Sequence, residues 1–276
     1  MDGVRSAGAV LRDLRHVAET GSTNADVMAL AQQGATEGLW LRADRQTAGR
    51  GRQGRLWESP LGNLYASTLV RLRPGDPQAA TLALVAAVAL DETVRVFAPD
   101  LSLPFVSSEV EKRELGARER FSTSLETNGG GGRLSIKWPN DLLIEGAKLT
   151  GILLERSADA VVIGMGVNLA HHPEALDRPT TCLAAYGVTV APEPFLETLA
   201  EIFARWLSRW RNEGLAPVRA RWIERAHPKG TALSARTGDG TIIDGLFDGL
   251  DDNGALILRL AGGGRHVMHA GDVFLI

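Results

Sequence analysis

The feature that most constrains the fold is a change of texture at His227-Pro228-Lys229-Gly230. Beyond it, short β-prone segments alternate with Thr237-Gly238-Asp239-Gly240, Asp251-Asp252-Asn253-Gly254 and Gly262-Gly263-Gly264. Turn residues at such even spacing suit hairpins and leave no room for a long helix, so residues 230–276 read as a small all-β module. Its size is that of an SH3-like β-barrel. Residues 1–229 mix strands with apolar stripes at helical spacing, and a chain of 276 residues accommodates one large and one small domain. The fold class is therefore α+β.

Within 1–229, a helix is expected over 25–33, ending at Gly34, with Ser22 or Thr23 as its cap and Thr23 with Asp26 as a capping box. Strands are expected over 38–43, 63–72, 134–137 and 160–168, and a hairpin pairing 142–144 with 148–155 about a turn at 145–147. A helix runs from Asp76-Pro77 to about residue 97. The stripe Phe195, Leu199, Ile202, Phe203, Trp206 and Trp210 predicts a core-facing helix ended by Gly214, and a short helix follows over 217–226. Residues 99–133 differ: prolines, a charged run and Asn128-Gly129-Gly130-Gly131-Gly132 mark an insertion, with a short helix expected over 109–119.

Residues 46–57, Q-T-A-G-R-G-R-Q-G-R-L-W, alternate Arg50, Arg52 and Arg55 with Gly49, Gly51 and Gly54 and close on Trp57. Glycine lets a chain turn tightly and aim its N–H groups inward, and arginine adds a planar cationic fork suited to carboxylate or phosphate. A small-anion site, a nucleic-acid contact and a solvated loop are all compatible with this stretch alone. The net charge of −3 weighs against nucleic acid. No glycine pattern has P-loop or dinucleotide spacing, so any nucleotide is held by another device. The lone cysteine, Cys182, sits among apolar neighbours and reads as a buried thiol. It also fits a reducing cytoplasm. No stretch has the length of a membrane span and no signal peptide is recognisable, so a soluble cytoplasmic protein is expected.

Four motifs in order, 46–57, K-W-P-N-D at 137–141, K-L-T-G-I-L-L-E at 148–155 and G-V-N-L at 166–169, followed by the β module, give the chain a resemblance to the biotin–protein ligases. The resemblance covers the chain apart from the insertion. It implies a class II synthetase-like biotin ligase fold: a mixed sheet flanked by helices over 1–229, and an SH3-like barrel over 230–276. About twenty residues precede Ser22-Thr23, which matches the single-function ligases without an N-terminal DNA-binding domain. Neither DNA binding nor repression is implied.

The resemblance further implies ATP and biotin as substrates with Mg2+, formation of biotinyl-5′-adenylate, and transfer to a lysine of a biotin carboxyl carrier protein. It assigns Ser22, Thr23, Asn24, Gln46, Gly49, Arg50, Lys148 and Gly151 to biotin. Arg50, Arg52, Arg55, Trp57, Asn140 and Asn168 go to the nucleotide, with Trp57 packing on adenine. Arg52, Lys148 and Asp141 are the catalytic assignments, Asp141 orienting the acceptor ammonium and easing its deprotonation. No side chain is assigned to a metal. The oligomeric state stays open, a homodimer included. The alternatives are a lipoate–protein ligase or octanoyltransferase, disfavoured by the arginine loop and the poorly placed cysteine, and a nucleic-acid-binding module.

Overall fold

The computed structural model describes residues 13–51, 54–102, 133–173 and 178–276. Most of the expected insertion, including the helix over 109–119, lies outside the described residues, as does Arg52.

A five-stranded sheet carries the larger part. Its strands are β1 (Asp13–Thr20), β2 (Leu39–Gln46), β3 (Leu64–Arg71), β7 (Thr150–Ser157) and β8 (Ala160–Val167), in the order β1-β2-β3-β8-β7. β1 and β2 are parallel and the other pairs antiparallel. A parallel neighbour needs a crossover, and α1 (Thr23–Gln32) supplies it. β3 is buried from Leu64 to Val70, because it is covered on both faces. Leu69 meets Val27 and Ala31 of α1 on one side; Leu64, Ala66 and Val70 join the core of α2 (Leu82–Phe97) and α3 (Pro192–Glu213) on the other. The α3 stripe packs as the spacing predicts, from Phe195 (0% exposed) to Trp210 (0%), and α4 (Ala216–Arg225) completes the layer.

Three expectations need correction. α1 begins at Thr23, and its capping box does not form: the Ser22 side chain makes no cap hydrogen bond, while Asp26 accepts from Thr20 Oγ1 at 2.5 Å. The helix expected from residue 76 opens instead as a 3-10 turn, Ala79–Thr81: Asp76 closes a turn with the Arg73 N–H at 2.9 Å, and Gln78 is still extended at ψ 129°. The expected hairpin over 142–155 splits between two sheets. β4 (Leu134–Lys137), β5 (Asp141–Ile144) and β6 (Ala147–Lys148) form a small antiparallel sheet, turned at Glu145 (φ 52°) and Gly146 (φ 82°). The chain leaves it at Leu149, fully buried, and enters β7 of the large sheet. That corner puts Lys148 and Gly151 side by side.

Residues 232–275 form an antiparallel sheet of β9 (Ala232–Arg236), β10 (Ile242–Leu250), β11 (Leu256–Arg259), β12 (Arg265–Met268) and β13 (Asp272–Leu275), ordered β12-β11-β10-β9-β13. The turn glycines Gly240 (φ 88°), Gly254 (φ 83°) and Gly263 (φ 82°) use the left-handed region at three hairpin bends. Its apolar face is continuous with the helical core through Leu233, Phe247 and Leu256. Trp138, 4% exposed, is a packing residue whose Nε1–H donates to the Gly254 carbonyl at 3.0 Å across that seam.

His227 lies in the same seam, edge-on to Phe247 at 4.5 Å, with both ring nitrogens buried and without partners among the described residues. Burial pushes its imidazole down from 6.5 to about 4, and Lys137 adds to the push. The native ring therefore binds a proton less readily than the unfolded one. Stability is complete above pH 6.5 and is lost as pH falls from 6.5 towards 4. The loss should reach about 3 kcal/mol. Urea midpoints of the wild type should drop across that window, and His227→Phe should flatten the slope. An equal slope in both proteins would exclude His227 as the cause.

Candidate active site

The site grows from the end of the β1/β2 pair. Register sets Thr20 beside Gln46, so the two chain exits run together. Thr47 N–H donates to Thr20 O at 2.9 Å and Ala48 N–H to Gly21 O at 2.9 Å. The arginine loop then doubles back on itself: Gly51 N–H reaches Arg55 O at 2.7 Å and Trp57 N–H reaches Gly49 O at 3.0 Å. Gly49 is obligatory there, since a Cβ would lie 2.6 Å from the Trp57 carbonyl oxygen.

One cavity joins this loop to the corner at Leu149. Ser22, Thr23, Asn24 and Gln46 line one side, Arg50, Gly51, Arg55 and Trp57 the loop side, and Asp141, Lys148 and Gly151 the opposite wall. Gly49 stays behind the loop, closing its base. The positive groups from around residues 50 and 148 thus face a shared space.

The opposite wall is an ion cluster. Lys148 Nζ is paired with Asp141, and Lys137 Nζ lies 3.2 Å from the same carboxylate. Burial alone would raise the Asp141 pKa, but Lys148 and then Lys137 overcome it and hold the group down at about 2. Burial pushes the Lys148 ammonium down, helped by Arg178 and Lys137 and opposed by Asp141. Arg178 lines the cavity too, and no sequence signal marked it. Three cations against one carboxylate leave this wall with surplus positive charge, which favours an anionic occupant.

Besides Gly49, two more of the sequence assignments do not line the cavity. The Asn140 amide, 4% exposed, points at Ile152 O at 3.5 Å, and the Asn168 amide, 3% exposed, donates to Thr181 O at 3.0 Å. Both brace backbone behind the walls. Arg55 does line the cavity, and its guanidinium is held by Asp272 of β13 at 2.8 Å. Asp272 was also unmarked in the sequence.

Trp57 lies over Gly151, a residue assigned to biotin. Its indole rests on Gly151 and Gly166, at which an added Cβ would fall 2.6 and 2.7 Å from ring carbons. Its Nε1 is buried with no hydrogen-bond partner among the described residues. The two glycines provide a flat floor, and the indole is what now covers it.

The family model described as Biotin/lipoate A/B protein ligase family matches residues 19–168, and that described as Biotin protein ligase C terminal domain matches residues 234–276. The chain belongs to the biotin protein ligase family. It is 38% identical to a biotin--[acetyl-CoA-carboxylase] ligase of Paracoccus denitrificans, over 94% of this chain and 98% of that one. A ligase of the same name from Mycobacterium tuberculosis is 34% identical, over 99% and 92%. The fold is similar to that of a biotin protein ligase from Aquifex aeolicus in complex with biotin and ATP, with TM-score 0.76 at 21% identity, covering 96% of this chain and all of the other. Among the described residues, no helix is long and apolar enough to cross a membrane.

Proposed function

We infer that this chain is an ATP-dependent biotin–protein ligase acting in the cytoplasm. A biotin carboxylate oxygen attacks the α-phosphorus of ATP, the bond to the β-phosphate breaks, and pyrophosphate leaves. The amine of a carrier lysine then attacks the acyl carbon of biotinyl-5′-adenylate, the acyl–oxygen bond breaks, and AMP departs with the amine losing a proton. The observation that carries this reading is the shared cavity of Arg50, Gly51 and Lys148. Two anions repel each other, and the cost falls when fixed cations lie between them.

Lys148 is assigned to the biotin carboxylate, Arg50 and Arg52 to the phosphates, and Thr23 with Gln46 to the ureido ring. Asp141, held ionised down to about 2, is a weak proton acceptor; its role is to attract and orient the incoming ammonium. Trp57 is kept for adenine after it leaves the floor, whereas Asn140 and Asn168 are reassigned to bracing the walls. Mg2+ is assigned to arrive as the ATP chelate, held by phosphate oxygens and water. The partner is the carrier domain of a biotin-dependent carboxylase. Residues 1–229 form the catalytic domain and residues 230–276 the second domain.

Exchange of labelled pyrophosphate into ATP tests the first step. Exchange is expected with biotin and not with lipoate. Exchange with lipoate alone would move the chain to the lipoate ligases. No exchange with either, together with salt-sensitive retention on RNA or DNA, would overturn the ligase reading.

A further inference from the structure

From the cavity wall inward runs a chain of polar groups, of which the mechanism above uses only Thr23 and Gln46. Asn24 Nδ2 donates to Glu155 Oε2 at 2.8 Å and faces the Leu153 carbonyl at 3.4 Å. Asn24 Oδ1 accepts from Ser67 Oγ at 2.6 Å, and Ser67 Oγ lies 2.7 Å from Thr23 Oγ1. Thr23 Oγ1 is in turn 3.1 Å from Gln46 Oε1, which accepts the Thr23 backbone N–H at 2.9 Å. Ser67 (0% exposed), Thr23 (3%) and Asn24 (5%) are shut off from water, so each proton must be accounted for inside the protein.

The directions follow one from another. A carboxylate and a carbonyl only accept, so the Asn24 amide must turn its NH2 to Glu155 and Leu153 and its oxygen to Ser67. An amide oxygen cannot donate, so the single Ser67 proton goes to Asn24. Ser67 can then only accept from Thr23, and the 2.7 Å contact takes the Thr23 proton in preference to the longer 3.1 Å contact with Gln46. Gln46 is fixed in the same way, because Oε1 is held by the Thr23 N–H and Nε2 is left for the cavity side, with Ser59 Oγ as far as 3.5 Å.

We propose that Glu155, Asn24 and Ser67 are positioning residues that set the proton polarity of the biotin site, locking the Thr23 hydroxyl as an acceptor next to Gln46 as a donor. An acceptor beside a donor reads the N–H and C=O edge of a cyclic urea. It rejects a ring that offers only acceptors there. This rests on the biotin reading above. Neither Glu155 nor Ser67 lines the cavity, so both act through Thr23 and touch no reacting atom.

Steady-state pyrophosphate exchange separates this from a role in packing. Glu155→Gln keeps the shape but can donate to Asn24, so the amide is free to turn over and the relay loses its direction; Glu155→Asp keeps an acceptor-only end. Ser67→Ala removes the link to Thr23. Glu155→Gln and Ser67→Ala should each raise the KM for biotin about 5- to 20-fold, the loss of roughly one oriented hydrogen bond. The KM for ATP and kcat should stay within about 2-fold, and Glu155→Asp should remain close to wild type. A biotin KM unchanged in both variants, a parallel rise in the ATP KM, or equal behaviour of Glu155→Gln and Glu155→Asp would overturn the relay. A wild-type protein without biotin-dependent exchange would instead strike the biotin reading itself.

Discussion

Lys148→Met is expected to lower biotin-dependent pyrophosphate exchange by about 100- to 1,000-fold, the scale of losing one preorganised charge at a reacting oxygen. Lys148 is the cation of the small sheet that lines the cavity, paired there with Asp141, and its proposed role is to meet the biotin carboxylate. Loss of one member of a buried pair ordinarily costs about 3–5 kcal/mol, because the other charge is stranded. Here Lys137 remains 3.2 Å from Asp141, so the variant should fold with a smaller penalty. A Lys148→Met enzyme with exchange within about 3-fold of wild type would deprive the cavity of its assigned chemistry.

The parts of the fold that the sequence discloses are those in which one physical demand acts alone. The α3 stripe is legible because about six turns of helix must hide one apolar face, and its end is legible because Gly214, at φ 76°, stops it. The glycine turns of the second sheet are legible for the same reason. Where two demands compete, the sequence misleads. Thr23 and Asp26 have the residue types of a capping box, yet the Thr23 hydroxyl is drawn to Ser67 and Gln46, and Asp26 to Thr20. Residues 148–155 alternate like the second arm of a hairpin, but burying Leu149 moves the chain to another sheet.

The site divides along the same line. Glycines and arginines at 49–55 suit an anion loop by composition, though a nucleic-acid contact or a solvated loop has the same composition. Arg178 and Asp272 are brought to the cavity by the docking of distant segments, and nothing in their own neighbourhoods hints at it. Asn140 and Asn168 illustrate the converse: residues with a polar amide in a motif, whose amides are consumed by backbone carbonyls.

Trp57 yields the second large expected effect, because its present position and its proposed role cannot be held at once. The indole covers Gly151 and Gly166, the floor on which the biotin chain would lie, so binding must turn it out. Withdrawing an indole from apolar contact costs about 1.5–3 kcal/mol, and the apparent affinity for biotin is reduced by the fraction of molecules in which the floor is clear. Trp57→Ala removes that competition and should tighten biotin binding by about 10-fold, read by calorimetry. The same substitution takes away the surface proposed for adenine, so release of the adenylate should quicken by about 10-fold or more. The opposed signs distinguish this from a merely destabilised loop, which would weaken both. The other five indoles, from Trp40 at 2% exposed to Trp222 at 0%, lie in the core, so the fluorescence difference between wild type and Trp57→Phe isolates this ring. Addition of biotin should change the wild-type emission and leave that of Trp57→Phe unaltered. Unaltered emission in both proteins, with biotin affinity equal in Trp57→Ala and wild type, would mean that the ring never has to leave its glycine floor.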